Sequence, residues 1–180
     1  MILLAAVALL AGARTGSAAS ASATALGARY ALLEPSLRQT PFNRPLVLDS
    51  SETPGRLTGE VHAVIEQPFA TTVAGLNDPG HWCDLLLHMN TKFCQPKQRA
   101  AGTVLDIAIG RKTPQVLAGV ARMELTFSGT ASTPDHLQID LGARKGPMGT
   151  SDYRIRLEAV AVAGTRTFLH FTYSYAYDPV

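Results

Sequence analysis

The chain has 180 residues, of which 46% are hydrophobic and 17% charged. This composition is typical of one globular domain, and the chain is too short for two ordinary domains. Sixteen Lys and Arg residues against 14 Asp and Glu residues give a formal net charge of +2. Because no large field of one sign is available to attract a phosphate backbone, this balance argues against nucleic acid as a partner.

The N-terminus has the pattern of a secretory signal peptide. A continuous apolar run over residues 2–11 is about half as long as a membrane-spanning helix, and small residues follow it from Ser17 to Ala25. The alternative is a buried N-terminal helix. No later apolar run could span a bilayer, so we expect a mature chain that is soluble and secreted or periplasmic. The signal peptide is expected over residues 1–23, with cleavage after Ala19, Ala21 or Ala23.

Cys83 and Cys94 are the only cysteines. In an oxidising compartment, an even pair favours a disulfide. One helix through both residues would hold them about 16 Å apart, whereas a disulfide allows a Cα separation of only about 7 Å. The helix must therefore end near Met89 or Asn90, and residues 91–93 must fold back along it. The alternative is two free buried thiols.

Residues 24–57 are rich in Pro, Ser, Arg and Thr and show no sustained period, which predicts an irregular segment laid over the surface. The pattern then sharpens, because Val61, Ala63 and Ile65 alternate with polar residues. This alternation predicts a strand with one buried face, which Pro68 ends.

Two short helices are predicted after this first strand. The first covers residues 69–76, where apolar residues recur at spacings of four and three. The second begins at Asp78, which can cap it, and Pro79, which suits the first helical position. The apolar residues of the second helix are expected on one face, buried against a sheet: Trp82, Leu85, Leu86 and Met89.

Five later segments alternate apolar and polar residues, which predicts five more strands with one buried face each. Short Gly-containing turns separate them and favour antiparallel neighbours. The predicted class is therefore α+β, with an antiparallel sheet of about six strands and two short helices after the first strand.

This order of elements resembles the START-like, or helix-grip, superfamily, which includes polyketide cyclases and the birch-pollen-allergen-like plant proteins. The resemblance covers about Arg56 to Tyr177 and includes the run GPMGTSDYRIRLE at residues 146–158, ahead of a final aromatic strand. The chain looks most like the secreted bacterial members of that superfamily for which no activity is established.

In this superfamily a curved sheet grips a long C-terminal helix. The sequence ends at Val180, a few residues after the last predicted strand. We therefore expect a START-like domain over residues 58–180 that lacks the C-terminal helix, and favour a truncated gene product because the last strand would otherwise leave a large apolar patch exposed.

The resemblance implies a binding protein for a hydrophobic small molecule or lipid, with neither catalysis nor a cofactor. Its cavity would lie between the sheet and the covering helix, and Trp82 and Leu86 would help to close it. The residues expected to bind the ligand are Leu105, Ile107, Met123, Leu125, Phe127, Leu137, Ile139, Tyr153, Ile155, Leu157, Phe171 and Tyr173.

Two other functions are compatible with the same scaffold. A cyclase or hydratase would need an ionisable side chain that points inward, and the pattern places none there. A protein-interaction module would instead use the uncovered inner face of the sheet to dock a partner's helix.

A metal site is the first chemistry that the sequence suggests. His81, Cys83, His88 and Cys94 lie within fourteen residues. Their spacing fits no standard zinc pattern, and two helical turns, about 10 Å, separate the two histidines. We therefore expect these four residues to bind no metal.

Acid–base catalysis is the second chemistry that the sequence suggests. His62, His136 or His170 could act with Asp106 or Asp140. Because the alternation assigns these side chains to the solvent-facing side of the sheet, and no hydrolase motif is present, we expect no catalytic residues.

Overall fold

A computed structural model describes residues 15–87, 90–111 and 113–178. The apolar run at residues 2–11 lies outside the described residues. Within the described residues a long helix comes first, a β-hairpin follows, two short helices come next, and six further strands come last. The helices are α1 (Thr15–Arg38), α2 (Phe69–Leu76) and α3 (Pro79–Leu87), and the strands are β1 (Leu46–Thr53), β2 (Arg56–Ile65), β3 (Thr91–Arg99), β4 (Gly102–Ile109), β5 (Ala121–Ser132), β6 (Leu137–Lys145), β7 (Ser151–Val162) and β8 (Arg166–Ala176).

The strands form one antiparallel sheet in the order β1-β2-β8-β7-β6-β5-β4-β3. The α+β class is confirmed, but the sheet has eight strands rather than about six. Both additional strands, β1 and β3, lie at the edges. Most of β1 is exposed, and β3 contains Pro96, a residue that edge strands tolerate because its missing N–H breaks no ladder bond. Neither edge therefore shows the alternation that marks a half-buried strand.

The prediction of an irregular segment over residues 24–57 is wrong. This region contains most of α1 and all of β1. Helix α1 packs on the face of the sheet that we call the outer face, where Leu26 and Leu37 are buried with Val160 and Phe168. The many alanines of α1 favour a helix, and tertiary contacts with the sheet stabilise it. Cleavage at any of the three expected positions would leave the buried Leu26 and Leu37 in place.

The opposite face, which we call the inner face, carries the larger core. Its members include Leu105, Leu137 and Ile139, all fully buried. Trp82 and Cys83 of α3 complete this core, so α2 and α3 cover one part of the inner face. No helix in the described part of the chain is long and apolar enough to span a bilayer.

The two short helices lie where the sequence predicts them. Helix α2 covers residues 69–76, and α3 begins at Pro79 with its Gly80 N–H donating to Asp78 Oδ1 at 2.7 Å. The predicted buried face of α3 is partly wrong, since Leu85 is 51% exposed while Cys83 is buried. Trp82, Cys83 and Leu86 lie within about 100° of helical arc, which turns Leu85 outward. Met89 is outside the described residues.

Cys83 and Cys94 form the predicted disulfide, with their Cα atoms 5.2 Å apart. Helix α3 is described to Leu87, and β3 begins at Thr91 and runs back toward it. The bond therefore joins α3 to the edge of the sheet and holds Cys83 inward.

Candidate ligand-binding cavity

An open cavity of about 1020 Å³ lies against the inner face, beside the part that α2 and α3 cover. Strands β2, β8, β7, β5 and β4 form its floor, and Leu86 of α3 and the β6–β7 loop stand at its sides. The floor is apolar because one side of each strand points inward, as the alternation predicts. Pairing places Ile155 beside Tyr173 and Val61 beside Phe171, so the apolar side chains of β2, β8 and β7 form one continuous surface.

The structure separates the twelve predicted ligand-binding residues into two groups. Seven line the cavity: Ile107, Met123, Leu125, Tyr153, Ile155, Phe171 and Tyr173. Five do not line it but belong to the core under α2 and α3: Leu105, Phe127, Leu137, Ile139 and Leu157. Alternation identifies the face of the sheet on which a residue lies, but it does not show which stretch of that face a helix covers. Ligand binding by the first group stays a prediction.

The two helical residues that were expected to close the cavity are also separated. Leu86 lines it. Trp82 is buried in the core, with its ring edge-on to Phe127 at 6.3 Å and its Nε1–H donating to the Leu76 carbonyl at 2.8 Å. Trp82 therefore fixes α3 to the end of α2 rather than facing the cavity.

The cavity has lining residues that the sequence analysis missed. Leu48 comes from the unpredicted strand β1, and Met148 comes from the β6–β7 loop. Gly59 lies directly opposite Tyr173 and contributes space instead of a side chain. A glycine inside a strand was the one available signal, since it often marks a close approach of another group.

Three tyrosines gather at one end of the cavity. The rings of Tyr153 and Tyr175 are nearly parallel with centroids 5.3 Å apart, and Tyr173 lies 5.7 Å from Tyr175. The hydroxyls of Tyr153 and Thr150 are 2.7 Å apart. Burial raises the pKa of Tyr173, so its hydroxyl stays protonated and able to donate a hydrogen bond. This end of the cavity offers polar groups within an aromatic surface.

Among the described lining residues, the only ionisable carboxylates belong to Asp49 and Glu60, and both side chains lie on the outer face. The Glu60 carboxylate is 3.0 Å from His170 Nε2. Asp49 is paired with Glu60, while its neighbours Leu48 and Ser50 take the inner positions. No carboxylate of the described residues therefore points into the cavity.

More side chains of the outer face are buried than the alternation predicts. His62 is only 5% exposed and His136 only 3% exposed. Helix α1 covers the region of His62, and His136 contacts Glu158 of the neighbouring strand. Asp106 is also buried, between Lys97 and Arg122. The predicted exposure of all three is wrong: α1 covers His62, and long basic side chains cover Asp106.

No family model matches this chain, and no curated protein matches it. Among solved structures, it is similar to the Zhui aromatase/cyclase from Streptomyces sp. R1128, at 11% identity and a TM-score of 0.51, over 69% of this chain and 70% of that one. CalU16 from Micromonospora echinospora aligns over 72% of this chain and 66% of its own length, at 16% identity and a TM-score of 0.39. A truncated norcoclaurine synthase from Thalictrum flavum aligns over 72% of this chain and 81% of its own length, at 14% identity and a TM-score of 0.46. The similarity to the first of these shows the fold, and it confirms that this chain has a START-like, helix-grip architecture.

Proposed function

We propose that this protein binds a hydrophobic small molecule or lipid in the cavity on the inner face, and that it does so outside the cytoplasm. The observation that carries the proposal is the largely apolar floor beneath a space of about 1020 Å³. Ligand cavities are typically about 300–1,000 Å³, so this one is large enough for a molecule of drug size or more.

Burial of apolar surface supplies the affinity in this proposal. Each Å² of apolar surface, whether on the ligand or on the protein, contributes about 25 cal/mol when it is removed from water. Met123, Leu125, Ile155 and Phe171 provide that surface along the floor of the cavity. The hydroxyl of Tyr173, which stays protonated, and the nearby side-chain oxygens of Tyr153 and Thr150 would hydrogen-bond a hydroxyl or carbonyl at one end of the ligand.

Binding is favoured over acid–base catalysis by the same lining. A general acid or base must reach the reacting atoms with an ionisable side chain. In the described part of the cavity the two carboxylates turn away, toward the outer face. A cyclase or hydratase activity therefore has no described carboxylate or histidine in the cavity for proton transfer, and the raised pKa of Tyr173 makes its hydroxyl a weak acid.

The extracellular part of the proposal rests on the Cys83–Cys94 disulfide and on the signal-like N-terminal sequence. Disulfides persist mainly in oxidising compartments. Direct support would be the mature N-terminus of protein recovered from culture medium or periplasm.

A glycine-to-phenylalanine substitution tests the cavity. A Cβ atom at Gly59 would meet only the Asp49 carbonyl oxygen, at 4.0 Å, so Gly59→Phe places a ring in the cavity without a clash at its base. We expect N-phenyl-1-naphthylamine to bind the natural chain saturably, with enhanced fluorescence. Gly59→Phe should weaken that binding by at least about tenfold, because the ring occupies the space that the probe needs.

Thr126→Phe is the matched control, since Thr126 is exposed on the outer face of β5. It adds a ring of the same size to the opposite side of the sheet and should leave probe binding unchanged. Equal binding by the natural chain and Gly59→Phe, or no binding by the natural chain, would contradict the proposal. Native mass spectrometry of the purified protein should also show a bound hydrophobic molecule that Gly59→Phe lacks.

A further inference from the structure

Three potential metal ligands come together on the outer face, away from the cavity. Glu60 and His62 are two residues apart on β2 and therefore point to the same side. His170 of β8 lies directly opposite His62 in the antiparallel pair. Two ligands from one strand and a third from its neighbour thus converge through the pairing of the sheet itself.

The ligand atoms are close to one another. Glu60 Oε2 lies 3.0 Å from His170 Nε2 and 3.9 Å from His62 Nε2, and all three atoms lie within 4.8 Å of one another. Two imidazoles and one carboxylate form a ligand set found in catalytic zinc sites. Imidazole ligands favour Zn²⁺ and other first-row transition ions over Mg²⁺ or Ca²⁺, which prefer oxygen.

A cation already lies among these three atoms. Arg29 Nη1 of α1 is 3.3 Å from Glu60 Oε2, 3.2 Å from His62 Nε2 and 3.4 Å from His170 Nε2. The place therefore suits a positive charge. The Arg29 side chain is 47% exposed, so it can leave toward solvent and open a path for an ion.

The surroundings also match a metal site. The other ring nitrogen of His170, Nδ1, lies 3.7 Å from Glu158 Oε2, and Glu158 Oε1 lies 3.3 Å from His136 Nε2. At 3.7 Å the Glu158 carboxylate is just beyond hydrogen-bond distance, and a small shift of the His170 ring would let it orient the ring and raise its basicity.

We propose that Glu60, His62 and His170 bind a divalent first-row transition metal ion such as Zn²⁺, and that the Arg29 guanidinium competes with the ion for this place. The two imidazole planes are within 4° of parallel, so binding turns one ring until both nitrogens face the ion. The ligand atoms then close to about 2.0–2.2 Å from Zn²⁺, and a fourth position stays open for water. Thr172 Oγ1, 3.3 Å from His170 Nε2, also borders the site.

Titration of the full chain with Zn²⁺ by calorimetry, and with Co²⁺ by visible absorption, tests the proposal. We expect one site per chain in the natural protein. Binding should weaken by at least about tenfold in His170→Gln and in His62→Gln, and by about tenfold in Glu158→Gln, which alters only the supporting carboxylate. Arg29→Met should bind about tenfold more tightly, because it removes the competing positive charge.

His81→Gln is the control, since His81 is exposed on α3 and hydrogen-bonds Gly75 instead. It should bind like the natural chain. Equal affinity of the natural chain and the His62→Gln/His170→Gln double variant would overturn the proposal. If the histidine variants do not fold, the comparison of the natural chain with Arg29→Met still decides, since unchanged or weaker binding by Arg29→Met would overturn it.

Discussion

Thr72 of α2 and Thr167 of β8 are hydrogen-bonded through their hydroxyl oxygens, 3.2 Å apart, in the interior of the protein. The Thr167 hydroxyl donates in turn to the Gln67 carbonyl at 2.8 Å, just before α2 begins. Both threonines are buried, so this chain of hydrogen bonds fixes the start of α2 to the sheet.

Thr167→Val should therefore destabilise the fold by about 1–3 kcal/mol, because it leaves the Gln67 carbonyl without its donor while keeping the side-chain shape. Urea unfolding of the variant and the natural chain measures the difference. Thr126→Val, at an exposed strand position, should change the free energy of unfolding by less than about 0.5 kcal/mol. Equal losses in both variants would contradict the role of the buried hydrogen bonds.

The Cys83–Cys94 disulfide closes a short loop, since the two residues are 11 apart in the sequence. Closing a loop of this size stabilises a protein by about 2–3 kcal/mol, chiefly by restricting the unfolded chain. The double variant Cys83→Ala/Cys94→Ala should unfold at a correspondingly lower urea concentration. A reducing agent should shift the midpoint of the natural chain and leave that of the double variant unchanged; an unshifted natural chain would count against the bond.

Two leucines of α1 distinguish packing from helix propensity. Leu37 is 3% exposed against the outer face, whereas Leu32 is 82% exposed on the same helix. Leu37→Ala should reduce the free energy of unfolding by about 2–5 kcal/mol because it leaves a cavity. Leu32→Ala should change it by less than about 0.5 kcal/mol. Similar values for the two variants would mean that α1 is not packed on the sheet as described.

Tyr173→Phe tests the polar end of the proposed ligand site. Removal of the hydroxyl should weaken binding of 2-naphthol by up to about tenfold, because one hydrogen bond contributes about 0.5–1.5 kcal/mol. Naphthalene, which lacks the hydroxyl, should bind both proteins equally. Fluorescence titration with the two probes measures the contrast, and an equal change for both would assign Tyr173 to packing alone.

Asp106 should contribute to the acid sensitivity of the fold. Its hydrogen bond with Lys97, together with Arg122, lowers the pKa of the carboxyl below its ordinary value of 3.8. The unfolded chain then binds the proton more readily, so this stabilisation is present above pH 3.8 and is lost as the pH falls through the lower folded-state pKa.

Asp106→Asn should remove this part of the pH dependence and cost about 1 kcal/mol at neutral pH, a modest value because solvent screens the partly exposed cations. Urea unfolding between about pH 7 and pH 2.5 measures it. An unchanged slope in the variant below about pH 4 would show that Asp106 does not contribute.

Much of the candidate cavity was predictable from the sequence. Ile107, Met123, Ile155 and Phe171 lie on its floor because the period-two alternation assigns each to the inner side of its strand. Leu137 and Ile139 have the same alternation and lie in the core instead. The difference depends on where α2 and α3 sit along the strands, which no local pattern records.

The sequence by itself determined the α+β class, the two short helices and the inner face of the six predicted strands, and it favoured the disulfide, because periodicity, capping and cysteine geometry act between residues that are near in the chain. Only the tertiary structure decided that α1 packs on the outer face, that β1 and β3 extend the sheet, and that Gly59 faces Tyr173. It also brought Arg29, His62 and His170 together from distant parts of the chain. Such long-range contacts depend on strand pairing and helix docking, where contacts between distant segments outweigh the local preference of a segment for helix or strand.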